Sequence, residues 1–218
     1  AKTSAELFAE AAGKQGGERA GAAGIYRKAY EQFAADIYKH ELRDYELYGY
    51  AETVRAEEPL DRILGRLWEL RARVRRDTTQ EDNLLAGKAR TLLGTLDRAI
   101  PEAVGRVAAE YATGAELDAI DREIRGWIQE ARGRADGDES LALLFNLARR
   151  ARLGRACEEA LLARKDLAAP LKDNASAYHN QLNTIVNFYV ERGAFDRILP
   201  FLRQEEARDA DRARFNYR

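Results

Sequence analysis

The sequence predicts an all-α protein built of stacked antiparallel helical hairpins, as a bundle or a short α-solenoid. Three observations predict it. Ala, Leu, Arg and Glu, all strong helix formers, recur throughout the chain. Apolar residues return at three- and four-residue spacing in most windows. No segment alternates polar and apolar residues between hairpin turn signals, as a strand would. At 218 residues the chain can bury a sizeable core without a covalent staple.

Each element can be justified in order. Residues 4–11 carry a short helix. Residues 12–24, "AGKQGGERAGAAG", hold five glycines, and at about 1 kcal/mol each against Ala they predict a flexible linker. A long helical stretch follows over 25–55. Its stripe of Ile25, Tyr26, Tyr30, Phe33 and Ile37 continues, shifted in phase, through Tyr38, Leu42 and Tyr45. Pro59 opens a helix with Leu60, Ile63, Leu64, Leu67, Leu70 and Val74 on one face. The next starts near Glu81 and carries Leu84, Leu85, Leu92, Leu93 and Leu96. Pro101 is expected to open another, with Val104, Val107, Ala108 and Tyr111, stopping at Gly114. Leu117, Ile120, Ile124, Trp127 and Ile128 mark one more.

The polar run 132–140, "RGRADGDES", is the expected subdomain boundary. It divides an N-terminal helical part, 25–131, from a C-terminal one, 138–206. In the latter, Leu141, Leu144, Phe145 and Ala148 form a helix ending near Gly154, and Cys157, Ala160 and Leu161 face inward on the next. Leu182, Ile185, Val186 and Tyr189 lead to Gly193, and Phe195, Ile198, Leu199 and Leu202 follow. Residues 207–218 form a charged tail.

Two echoes run through the chain. An apolar-Asp-Arg-x-Ile/Leu pattern starts at 60, 96, 120 and 195, with spacing too irregular for a solenoid repeat. Asp at a helix start suits the macrodipole, yet the copy at 96 ends a helix. The second echo pairs "YATGAELDAI", 111–120, with "YVERGAFDRI", 189–198. Both read as a Gly turn between two helices.

The second of these resembles a tetratricopeptide hairpin. Leu182, Ile185 and Tyr189 match the spacing of its first helix, Gly193 and Phe195 its turn, and Leu199 and Leu202 its second helix. The pattern departs at Val186, Ile198 and Glu205, where small residues are usual, and at Pro200. Residues 141–206, ending "FYVERGAFDRILPFL", also resemble the small death-like helical adaptor domains of prokaryotic defence proteins. Both resemblances imply a helical-hairpin, α-solenoid-like fold and a role in protein–protein contact.

The functional expectation is a non-catalytic helical interaction module: an adaptor, scaffold or regulatory subunit. Tyr26, Tyr30, Tyr38, Tyr45, Tyr48 and Tyr50 cluster within 25 residues, more than one helix face can hide. Tyr has an apolar body and a polar tip and suits interfaces, so Tyr45, Tyr48 and Tyr50 are the expected partner-binding residues. The expected partner is another protein, with self-association left open. Formal net charge is −1, which argues against nucleic acid. An alternative reading places a phosphate-binding stripe at Arg71, Arg75 and Arg76. A third assembles an enzyme site from Asp36, His40 and Asp44, one helix face at four-residue spacing, with His179. No cofactor and no metal ligands are expected, since three convergent ligands are not evident. The single cysteine, Cys157, is read as core packing. With no disulfide partner, no long apolar run and no apolar signal core, a cytoplasmic location without membrane contact is expected.

Overall fold

The computed structural model describes residues 2–14, 19–134, 136–168 and 175–208. Among these residues the structure is all-helical, with no strand. Expectations for residues 15–18, for Pro170 and for 209–218 lie outside the described residues.

The helices are α1 (Ser4–Lys14), α2 (Arg19–Ala35), α3 (Asp44–Val54), α4 (Leu60–Asp77), α5 (Asn83–Ile100), α6 (Arg106–Tyr111), α7 (Gly114–Arg132), α8 (Asp138–Arg150), α9 (Gly154–Ala168), α10 (Ala175–Glu191) and α11 (Ile198–Arg208). A π-helical turn, Pro101–Gly105, joins α5 to α6, and a 3-10 turn, Phe195–Arg197, precedes α11. Consecutive helices fold back on each other as α1/α2, α4/α5 and α8/α9. The π-turn lies at the centre, against α3, α5 and α8. One hydrophobic core runs from Leu7 on α1 to Phe201 on α11.

The α4 stripe is buried as its spacing predicts, from Leu60 through Val74. Each such side chain contributes about 1.5–3 kcal/mol relative to exposure. Elsewhere the helices differ from the sequence reading, and each difference has a physical reason. The expected linker is helical from Arg19 onward. Gly21 and Gly24 lie exposed while Ala22 and Ala23 are buried, so the packed alanine face offsets the glycine cost.

The stretch 25–55 is two helices, not one. Residues 36–43 form a connecting loop, and the phase shift at Ile37 and Tyr38 marks it. Ile37 and Leu42 remain buried there, which is why the apolar pattern seemed unbroken. Pro101 opens the π-helical turn that leads into α6, not a separate helix. It follows α5 directly, and Ile100 keeps helical angles, φ −62° and ψ −51°. Proline supplies no N–H for the usual ladder bond, and the wider π-turn absorbs the missing donor. Gly114 begins α7 rather than ending α6, behind the N-cap Thr113, which shares a reciprocal box with Glu116.

The stop after α8 is Arg152, at φ +61°, and Gly154 begins α9. Two bonds define a Schellman stop there: Arg152 N–H to Arg149 O at 3.2 Å and Leu153 N–H to Ala148 O at 2.8 Å. The same motif ends α10, with Gly193 at φ +67° and bonds from Gly193 N–H to Val190 O and Ala194 N–H to Tyr189 O.

At 132–140 the chain turns from α7 to α8, but the core crosses that turn. Helix α7 packs on both α8 and α9, and α4 packs on α7. Glu205, one of the departures from the tetratricopeptide pattern, is buried. Its carboxylate accepts from Lys165 Nζ at 2.5 Å and Tyr178 Oη at 2.7 Å. This charged pair joins α11 to α9 and α10 in place of a small residue.

Candidate functional site

The three nominated tyrosines have three different environments. Tyr50 is 1% exposed. Its ring stacks on Tyr30 at 4.7 Å and its hydroxyl accepts from Arg66 Nη2 at 2.8 Å. Tyr50 is therefore a core residue, which corrects the expectation of a surface role. Tyr48 is half-buried. Its hydroxyl donates to Glu110 at 3.2 Å, and Arg106 lies 4.9 Å above its ring. Burial first, and then Glu52 and Glu110, push its phenol up to about 12. Tyr45 is 69% exposed.

Tyr45 stands on one lip of a groove of about 820 Å³. One wall is the loop 36–43 with the start of α3. The other is a face of α5: Leu84, Gly87, Lys88, Thr91, Thr95 and Arg98. Leu84 was expected to face the core. It is 70% exposed, because α5 buries Ala86, Ala89, Leu92, Leu96, Ala99 and Ile100 instead. The alanines carry the true inward face, and a leucine-weighted pattern misses them. Ile37 and Leu92 line the groove as buried side chains.

The groove wall is held by internal bonds. His40 is not on a helix with Asp36 and Asp44. It lies in the loop, its ring 5.7 Å from both Phe8 and Phe33. His40 Nε2 and Glu46 Oε2 are 2.8 Å apart, and the same carboxylate accepts from Arg43 N–H at 2.7 Å. Glu46 thus fixes the loop and begins α3. Tyr38 Oη donates to Asp77 at 2.6 Å, tying the loop to the end of α4. Arg98 grips both oxygens of Asp44, at 3.1 and 3.4 Å, and joins α5 to the first turn of α3.

The arginine patch is largely occupied. Arg71 is 2% exposed. It donates to both Asp97 oxygens, at 2.5 and 3.2 Å, and to Ser140 Oγ at 3.1 Å. This explains the pattern copy at 96–100, whose Asp97 is the counter-ion of a buried arginine. Arg75 donates to Ser140 Oγ at 2.6 Å and pairs with Asp136. Arg76 alone of the three is exposed. Burial corrects the expected surface role of Arg71, and Arg75 is already paired within the fold. They line a cleft of about 560 Å³ beside Trp68 and Trp127, whose rings stack at 4.6 Å.

The remaining chemical candidates lie apart. His179 sits on α10 beside Tyr178, on a different element from His40. Cys157 is buried, and burial pushes its thiol up to about 11, so it is neutral at physiological pH. Among the described residues, no group of three or more His, Cys, Asp and Glu is placed to hold a metal ion. No helix among them is long and apolar enough to cross a membrane. A second apolar exposure lies on the last hairpin, at Val190, Phe195 and Leu199. Comparison of the chain with known families, with curated proteins and with solved structures finds no match.

Proposed function

We propose that this chain is a helical protein–protein interaction module, an adaptor, scaffold or regulatory subunit, and that it docks its partner in the groove between the 36–43 loop and α5. One observation carries the reading: two large apolar side chains, Tyr45 and Leu84, stand exposed along the same 820 Å³ groove. Exposed apolar side chains grouped along a concavity mark interaction sites more often than scattered ones do. Tyr in particular brings large contact area at low entropic cost. Several polar groups around the groove are bonded to one another, as His40 to Glu46 and Arg98 to Asp44, a pattern that suits a stable docking wall. The likeness of 182–202 to a tetratricopeptide hairpin and of 141–206 to death-like adaptor domains points the same way.

The test is affinity capture from the native host, at low and high salt, with the wild-type chain and with a Tyr45→Ala/Leu84→Arg double variant. Circular dichroism confirms that the variant keeps its helices. The expected result is a protein retained by the wild type at high salt and lost by the variant, then reproduced with the purified partner. Identical capture by both chains, or capture of salt-labile nucleic acid alone, overturns the reading.

A further inference from the structure

We infer that α11 is a latched strap: within the folded protein it releases from the α9/α10 hairpin as a unit, and the buried Lys165–Glu205 pair is its latch. The inference is independent of the groove. Three observations lead there.

The first is how little apolar surface holds α11. It buries two residues, Phe201 and Glu205, where α4 buries six apolar side chains and Arg71. Ile198 and Leu202 are half-buried against the core, and Leu199 is exposed. Local opening costs least where buried apolar contacts are fewest.

The second is the chemistry of what remains. Lys165 on α9 and Glu205 on α11 are both buried. Lys165 Nζ donates to one Glu205 oxygen at 2.5 Å, and Tyr178 Oη on α10 donates to the other at 2.7 Å. Asp166 lies 3.1 Å from Lys165 Nζ, and Arg208 lies 3.6 Å from Glu205. Such a pair adds little net stability, because its attraction is offset by the hydration that both charges give up. Release returns that hydration to both at once, a compensation that an apolar seam lacks. The closed state is still specific. A helix slid or turned from this register leaves a buried charge without its partner, which is costly.

The third is where release stops. Arg197, in the 3-10 turn, donates to Glu158 at 2.8 Å, and Tyr189 Oη donates to the same carboxylate at 2.6 Å. The turn is thereby tied to α9, and α11 pivots behind it. Release uncovers one patch: Lys165, Tyr178 and Tyr189, whose ring meets Phe201 at 6.0 Å.

Hydrogen–deuterium exchange on the intact chain tests this, with rates corrected for sequence and compared between α11 and α4. The amides of Leu202 to Glu205 are expected to share one rate, about 100-fold or more faster than those of Leu64 to Leu70. Lys165→Met strands Glu205 without its cation, and is expected to speed α11 exchange about tenfold or more while α4 keeps its rate. Lys165→Met/Glu205→Leu replaces the pair by apolar side chains, and is expected to return α11 to the wild-type rate or below it. Protection of α11 equal to that of α4 in the wild type overturns the inference. So do rates graded toward Arg208, which mean fraying of the helix end. Equal acceleration of both helices by Lys165→Met, or no acceleration at all, removes the pair as the latch, as does a double variant that stays as fast as the single one.

Discussion

Tyr45 and Tyr50 lie five residues apart and occupy opposite extremes of the fold. The stacked and hydrogen-bonded Tyr50 fills core volume, whereas the Tyr45 ring faces solvent. Tyr50→Ala is expected to cost about 3–5 kcal/mol, as for other buried aromatics. Tyr45→Ala is expected to stay within about 0.5 kcal/mol. Urea denaturation of the two variants checks this, and equal losses would remove the distinction between core and groove. Cys157 makes a second residue-scale prediction. With its thiol buried and pushed up to about 11, it holds almost no thiolate at neutral pH. A thiol-specific reagent is expected to label it only at the rate of unfolding, with full reaction in denaturant. Fast labelling of the native protein would contradict its burial.

At the scale of elements, two close approaches and two turns determine how helices meet. A Cβ on Gly105 would lie 2.6 Å from Arg150 Cβ and 3.2 Å from Leu147 O. The obstacle is the near end of a side chain and a backbone carbonyl, so the π-turn and α8 must separate. Gly105→Ala is expected to destabilise by about 1–3 kcal/mol, measured as a fall in denaturation midpoint. Gly49 faces Tyr26 in a similar way, with the phenol oxygen where a Cβ would sit. The turns make the opposite case. Gly193 suits its left-handed conformation, but Arg152 holds φ +61° with a side chain. That conformation costs an L-residue about 1–2 kcal/mol, and glycine returns part of this through unfolded-state entropy. Arg152→Gly is therefore expected to raise stability by a few tenths to about 1 kcal/mol, visible as a higher melting temperature. A lower one would place the stop elsewhere.

Over the whole molecule, buried phenols make the fold sensitive to alkali. Burial, with Glu52 and Glu46 adding to it, pushes Tyr26 up from 10.0 to about 12. Burial also raises Tyr30 and Tyr38, the latter helped by Asp77. The folded chain thus keeps phenolic protons that the unfolded chain releases. This contribution to stability is complete below pH 10 and declines as the pH rises from 10 through 12. Urea midpoints across that range, with tyrosinate absorbance, are expected to show the decline, and Tyr26→Phe to make it shallower. A midpoint unchanged through pH 11.5 would contradict it.

The all-helical class and most helix positions were legible in the sequence because a 3.6-residue apolar period is a local property. The α4 stripe, the α7 stripe and the glycine turn at 193 needed no tertiary information. Other features did. The alanine face of α5, the helical start at Arg19 and the π-turn at Pro101 follow from packing, which rewards small residues where helices approach closely and tolerates a missing donor inside a continuous helix. The site divides the same way. The tyrosine cluster drew attention to Tyr45, but only the fold separated Tyr45 from Tyr50, took Arg71 into an ion pair with Asp97, and turned Leu84 outward to face the loop before α3. Periodicity records which residues share a helix face. Which face meets which neighbour is decided by contacts distant in sequence, and the groove is made of such contacts.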